Sequence, residues 1–157
     1  MKQLLQFVLV LFSSFYFSQD YYNLIDITNK HRETGDIENA IKLNSGYLKK
    51  YLEKDDTKGI ATAYINIGGL FFARNDYNES LIYLEKAKKY VEKVDDPLIK
   101  SRFYLAYGRN YSSLKLFRES NENLNKAIYF AKKSSNADRK EKFIFLEIYG
   151  NGKILKV

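Results

Sequence analysis

From Tyr64 onward the apolar side chains recur at intervals of three and four. Tyr64, Ile67, Gly68 and Phe71 stand at i, i+3, i+4 and i+7, one face of an α-helix. Leu81, Leu84, Ala87 and Val91 mark a second such face, and Asn75-Asp76 between the two is a turn signal. The pattern then recurs. Tyr104, Gly108 and Tyr111 stand 40 residues after Tyr64, Gly68 and Phe71. Phe117, Ser120, Leu124 and Ala127 repeat Tyr77, Ser80, Leu84 and Ala87 at the same offset. Agreement at seven spaced positions without an insertion predicts a repeated unit of two helices. Gly68, Ser80, Gly108 and Ser120 fall where paired helices should cross, and tiny side chains there let the axes approach to about 8–10 Å. A glycine inside a helix costs about 1 kcal/mol relative to alanine. The chain accepts that cost twice at the same place, which points to close packing.

The flanking units follow by counting. One offset back, Leu24, Ile27 and Thr28 fall on a first helix, with His31 in the aromatic slot and Gly35-Asp36 as the turn. Ala40 takes the small slot, while Asn44 and Tyr47 occupy slots held later by Leu84 and Ala87. An atypical first unit suits the capping end of a stack. Asp56 or Thr57 can cap the helix after the linker at 53–57, and Asp96 can cap the one that Pro97 begins. Ser134-Ser135-Asn136 closes the third unit. One offset forward, Ile144, Glu147 and Ile148 define a seventh helix from about Ala137 whose partner is missing. That helix is either a C-terminal cap or the stump of a longer protein. The apolar run of Phe143, Ile144, Phe145, Leu146 and Ile148 favours the stump.

Residues 1–18 are expected to be a targeting segment outside the fold. Lys2 supplies a positive end, and Leu4 to Phe17 is an apolar run broken by Gln6, Ser13 and Ser14. Its length suits a signal-peptide core better than a bilayer span. Cleavage after Ser18 is expected, with Tyr16 a poor residue for the peptidase; an uncleaved N-terminal anchor is the alternative. Either way the remainder, 19–157, is expected outside the cytoplasm, periplasmic or extracellular.

The motif of an aromatic, two residues, an apolar residue, glycine, two residues and an aromatic, followed by a small residue, resembles the tetratricopeptide repeat. The resemblance runs from about Asp20 to Tyr149. Tyr64 and Tyr104 replace the family's tryptophan, and Ser80 and Ser120 its alanine at the crossing. Pro97 falls later than the family's closing proline, at the start of the next helix. The unit is also longer than the family's usual length of about 34 residues. It looks like the longer-helix variant of bacterial regulatory proteins. The resemblance implies an all-α, right-handed solenoid of antiparallel helix pairs, about seven helices in all. The units would span about 21–57, 58–97, 98–137 and an incomplete 138–157.

Little in the chain suggests catalysis. There is one histidine, His31, and no cysteine, so neither a histidine-based triad partner set nor a cysteine metal site can be assembled. The pairs Asp55-Asp56 and Asp95-Asp96 sit at helix starts, where carboxylates cap N–H groups. Gly68-Gly69 lies inside a helix, so it is not a phosphate loop. No enzyme, cofactor or metal site is expected. The net charge is +7, or +6 once Lys2 leaves with the signal. Lys86, Lys88, Lys89, Lys93, Lys126, Lys132 and Lys133 read as a solvated outer face. Most tyrosines fall on core slots, and with the expected export this argues against nucleic acid; acidic protein segments or anionic lipid heads suit the charge better.

The resemblance then implies a groove. In that family, positions two, five, six, nine, twelve and thirteen of each first helix line the concave side. Carried over, these are Tyr22, Ile25, Asp26, Asn29, Arg32 and Glu33; Thr62, Ile65, Asn66, Gly69, Phe72 and Ala73; and Arg102, Leu105, Ala106, Arg109, Ser112 and Ser113. The favoured set is Asn29, Arg32, Asn66, Phe72, Arg102, Arg109 and Ser112. Some members clamp a peptide's terminal carboxylate, and Asn29, Asn66 and Arg102 match three of those five slots, while Ile25 and Ala106 do not. Arg102 and Arg109 can grip an acidic or C-terminal peptide group, or pair with neighbouring surface acids. Two functions are expected: a monomeric, exported module binding a peptide or protein, or the sensory fragment of a longer membrane-bound regulator or kinase. A membrane contact is expected only if the N-terminal segment stays attached.

Overall fold

The computed structural model describes residues 21–134. They form six helices and no strand: α1 (21–33), α2 (Ile37–Glu53), α3 (Thr57–Ala73), α4 (Tyr77–Val91), α5 (Pro97–Ser113) and α6 (Phe117–Lys133). The signal segment, the seventh helix and the incomplete fourth unit lie outside the described residues.

The N-cap positions are evenly spaced along the chain: Asp36, Asp56, Asp76, Asp96 and Leu116. The two-helix unit is therefore two like halves, each a helix and its turn. Asp56 Oδ1 accepts from Gly59 N at 3.0 Å, which makes Asp56 and not Thr57 the cap of α3. Asp76 accepts from Glu79 N, and Asp96 from the N–H groups of Leu98 and Ile99. Asp36 is diverted: His31 Nδ1 and Asn39 Nδ2 both donate to it at 2.9 Å. His31 is thus a half-exposed residue holding the first turn. Four of the turns need a left-handed residue, supplied by Gly35, Asp55, Asn75 and Lys115 at φ +76°, +51°, +63° and +62°. Glycine takes that conformation readily, whereas lysine carries a steric penalty there.

Consecutive helices pack on one another along the chain, and α3 also touches α5. This arrangement of stacked helix pairs fits an α-solenoid. One buried cluster joins α1, α2 and α3 through Leu24, Tyr51 and Ile60. A second joins α3, α4 and α5 through Ile65, Leu84, Ile99 and Phe103. Tyr64 and Tyr90 pack against both, so the core is continuous. The repeat is visible in the aromatic pairs. Tyr64 stacks on Tyr90 at 6.0 Å, and at the equivalent slots of the next unit Tyr104 stacks on Phe130 at 5.6 Å.

The crossings are tight at the expected residues. A Cβ on Gly68 would lie 3.1 Å from Leu84 Cγ and 3.2 Å from the Ser80 carbonyl oxygen. On Gly108 it would lie 2.8 Å from Leu124 Cγ and Cδ2. Ser120 Oγ donates to the Gly108 carbonyl at 2.9 Å. Near the starts of α3 and α5, Lys58 Nζ lies 2.6 Å from Asp96 Oδ2, and Tyr22 OH donates to the same oxygen at 3.2 Å. Lys58 also lies over the rings of Tyr21 and Tyr22. One carboxylate thereby ties α1, α3 and α5 together. Burial pushes the Asp96 carboxyl up, but Lys58, the Ile99 N–H and Tyr22 together hold it below the ordinary range. Lys86, Lys88, Lys89, Lys93, Lys126, Lys132 and Lys133 are all exposed.

Candidate binding groove

The first helices of the three pairs do more than pack. An open groove of about 520 Å³ is lined entirely by α1, α3 and α5, within the size range of ligand sites. Its apolar surface comes from Ile25, Ile65, Leu70, Phe72, Leu98, Leu105 and Ala106. Four basic side chains, Lys30, Arg32, Arg102 and Arg109, and two acidic ones, Asp26 and Glu33, face it. The balance is positive, and both arginines of α5 contribute to it. The Arg109 guanidinium sits 4.5 Å from the centre of the Phe72 ring, a distance at which a cation is attracted to the face.

Six of the seven favoured residues meet in this groove: Asn29, Arg32, Asn66, Phe72, Arg102 and Arg109. Ser112 does not line it. It sits in the last turn of α5, past Asn110 where the lining ends. Two of the wider set are placed elsewhere for clear reasons. Thr62 is fully buried and donates to the Lys58 carbonyl, and Tyr22 is turned to Asp96. Ala73 and Ser113, at helix ends, are exposed outside the groove. Counting by family positions overlooked Thr28, Lys30, Leu70, Leu98 and Asn110, which do line it.

Under the groove lies a chain of buried polar side chains. Thr28 Oγ1 donates to the Leu24 carbonyl at 2.6 Å. It accepts from Asn44 Nδ2 at 2.8 Å and from Asn66 Nδ2 at 3.3 Å. Asn44 Nδ2 also donates to the Ala40 carbonyl, and Asn44 Oδ1 accepts from Asn66 Nδ2 at 2.8 Å. Asn66 Oδ1 in turn accepts from Arg102 Nη2 at 2.7 Å. The direction of every bond follows from one fact: a guanidinium only donates, so Asn66 must present its oxygen to Arg102 and its amide hydrogens to Asn44 and Thr28. Thr28, Asn44 and Asn66 are buried, and each has its donors and acceptors used within this set. Asn66 therefore has no amide hydrogen left for a groove occupant, which departs from the direct clamp role implied by its family slot.

A second polar link runs from α5 to α4. Asn110 Nδ2 donates to Ser80 Oγ and to the Ala106 carbonyl, both at 2.8 Å. Nearby, Tyr107 OH donates to Glu85 Oε1; burial first, and then Glu85, push its phenol well up. Among the described residues, no cluster of histidine, aspartate or glutamate side chains is arranged to hold a metal ion, and no helix is long and apolar enough to cross a membrane. Comparisons with protein-family models, curated proteins and solved structures find no match to this chain.

Proposed function

We propose that this chain is a tetratricopeptide-like interaction module, a right-handed solenoid whose groove takes an extended peptide or protein segment carrying a carboxylate. The observation that carries the reading is the groove itself: three first helices, evenly spaced in sequence, supply its whole lining. Its apolar floor accepts side chains, and Arg102 and Arg109 offer charge-assisted donors to an anionic group. Binding needs no cofactor and involves no reaction. The apolar N-terminal segment supports export, which places the groove in the periplasm or outside the cell with polypeptides as its partners. Nucleic acid is disfavoured because the tyrosines at repeat slots pack in the core.

The test is a peptide array probed with the mature chain and two variants. Arg109→Glu reverses one groove charge at a half-exposed position. Arg102→Gln removes the other charge yet keeps a donor for Asn66, whereas Arg102→Glu would set two acceptors face to face. Wild-type protein should retain peptides with acidic residues or a free C-terminus, and both variants should lose them while keeping the parent's helical circular dichroism. Equal retention by all three proteins would move the binding surface elsewhere.

A further inference from the structure

The polar chain beneath the groove has an apolar counterpart in the same molecule. At the slots of Thr28, Asn44 and Asn66, the next unit carries Gly68, Leu84 and Ala106. There the crossing is closed by Leu84 against Gly68, and Ala106 packs on the same apolar cluster. These three slots can therefore be filled without amides; the second junction places its own buried amide at another point, Asn110 against Ser80. Replacing a buried polar set by well-packed apolar groups is often neutral or stabilising, while breaking it halfway is costly. What distinguishes the first junction is where its chain ends: on Arg102, a half-buried guanidinium lining the groove.

Resting on the groove reading above, we infer that Asn66, backed by Asn44 and Thr28, is a positioning residue that fixes the Arg102 guanidinium for a partner's carboxylate. Asn66 does not touch the occupant. It accepts from one Nη of Arg102, while its own hydrogens are pinned by Asn44 and Thr28, so it cannot rotate without breaking two further bonds. Holding a flexible side chain in its bound orientation before binding removes an ordering cost, a gain of about three- to tenfold in affinity per side chain. The three residues thus act on specificity from underneath, by fixing the direction in which the Arg102 guanidinium presents its charge to a carboxylate.

The experiment uses the mature full chain and a triple variant, Thr28→Gly with Asn44→Leu and Asn66→Ala, which copies the apolar set of the second junction. Side-chain nitrogen NMR reads guanidinium rotation at Arg102, with Arg109 as internal control because Phe72 holds it independently. The variant should melt cooperatively near the parent temperature, rotate faster at Arg102 and be unchanged at Arg109. Two probes are then titrated. Acetyl-tetraglutamate amide carries only side-chain carboxylates, and acetyl-tetraalanine with a free C-terminus carries only a terminal one. The better-bound probe names the source, and its affinity should fall about three- to tenfold in the variant. Equal Arg102 rotation in both proteins would overturn the positioning role, and so would unchanged affinity. So would a variant that no longer folds, since the polar set would then serve the stack itself. If neither probe binds the wild type, the carboxylate partner is wrong, and the rotation measurement alone decides the role of Asn66.

Discussion

Replacing glycine by alanine at different helical positions of this chain should change stability with opposite signs. Alanine gains about 1 kcal/mol over glycine wherever a helix has room for the methyl group. Gly46 in α2 has that room, because a Cβ there meets nothing within 4 Å. Gly46→Ala should therefore raise the melting temperature by about 2–4 °C for a chain of this size. At Gly108 the same methyl group would sit 2.8 Å from Leu124 Cγ and Cδ2 and 3.3 Å from the Leu124 backbone nitrogen. Carbon contacts settle at about 3.5–4.0 Å, so α6 or the Leu124 side chain must give by roughly 1 Å. Overpacking of that kind costs about 1–3 kcal/mol. Less the propensity gain, Gly108→Ala should lose about 0–2 kcal/mol. Gly108→Leu, a much larger side chain, should lose more. At Gly68 the nearest contacts are 3.1–3.2 Å, so the two effects should nearly cancel. Leu124→Ala should relieve part of the Gly108→Ala loss, giving a favourable coupling in a double-mutant cycle. Thermal melts followed by circular dichroism report all of these. If Gly108→Ala melts above the parent, as Gly46→Ala should, the helix crossing is not at Gly108.

Asp96→Asn should weaken the fold above about pH 4 and flatten its pH dependence. A carboxyl held low in the folded state contributes stability above its unfolded value of about 3.9 and loses it as pH falls through the folded value. Denaturant titrations of parent and variant at neutral pH and below the folded value should differ at the first and converge at the second; a constant difference would refute the tie to Lys58. Leu116→Asp should restore the one missing aspartate of the evenly spaced cap series. It should stabilise α6 by about 0.5–2 kcal/mol, read as a raised melting temperature, since Leu116 makes no side-chain cap.

Much of the fold was legible because the repeat is written in side-chain size and shape. Gly68 and Gly108 announce a close approach, and Tyr64 and Tyr104 announce an aromatic slot; both are local properties that periodicity exposes. The groove was legible for the same reason, as inner-helix positions recur by counting. The polar chain was not. Thr28 in the glycine slot and Asn44 in the leucine slot read as degeneration when each is taken alone. They face each other across one crossing, where a hydroxyl and an amide replace a hydrogen atom and an isobutyl group. Two polar replacements in slots that touch were the available signal, but seeing it requires knowing that the slots touch. Ser112 failed in the converse way, since its helical position was right but α5 carries it beyond the groove.

Each junction of the stack carries polar groups at a different point. At the first, Asn44 meets Asn66, while Ala40 and Leu70 are apolar. At the second, Ser80 meets Asn110, while Leu84 and Ala106 are apolar. These two sets are interchanged by a shift of one unit. A unit stacked out of order would therefore set Asn44 against Ala106 and Asn110 against Ala40, leaving buried donors unmet at a cost of about 1–3 kcal/mol each. Register of this kind follows from where the polar pairs sit. It accounts for both junctions, yet only the first set reaches a groove arginine, which is why fixing Arg102 is a role separate from fixing the order of the helices. Asn110 illustrates the contrast. Both its amide hydrogens are used, its Oδ1 is buried without a partner among the described residues, and no cation is held by it.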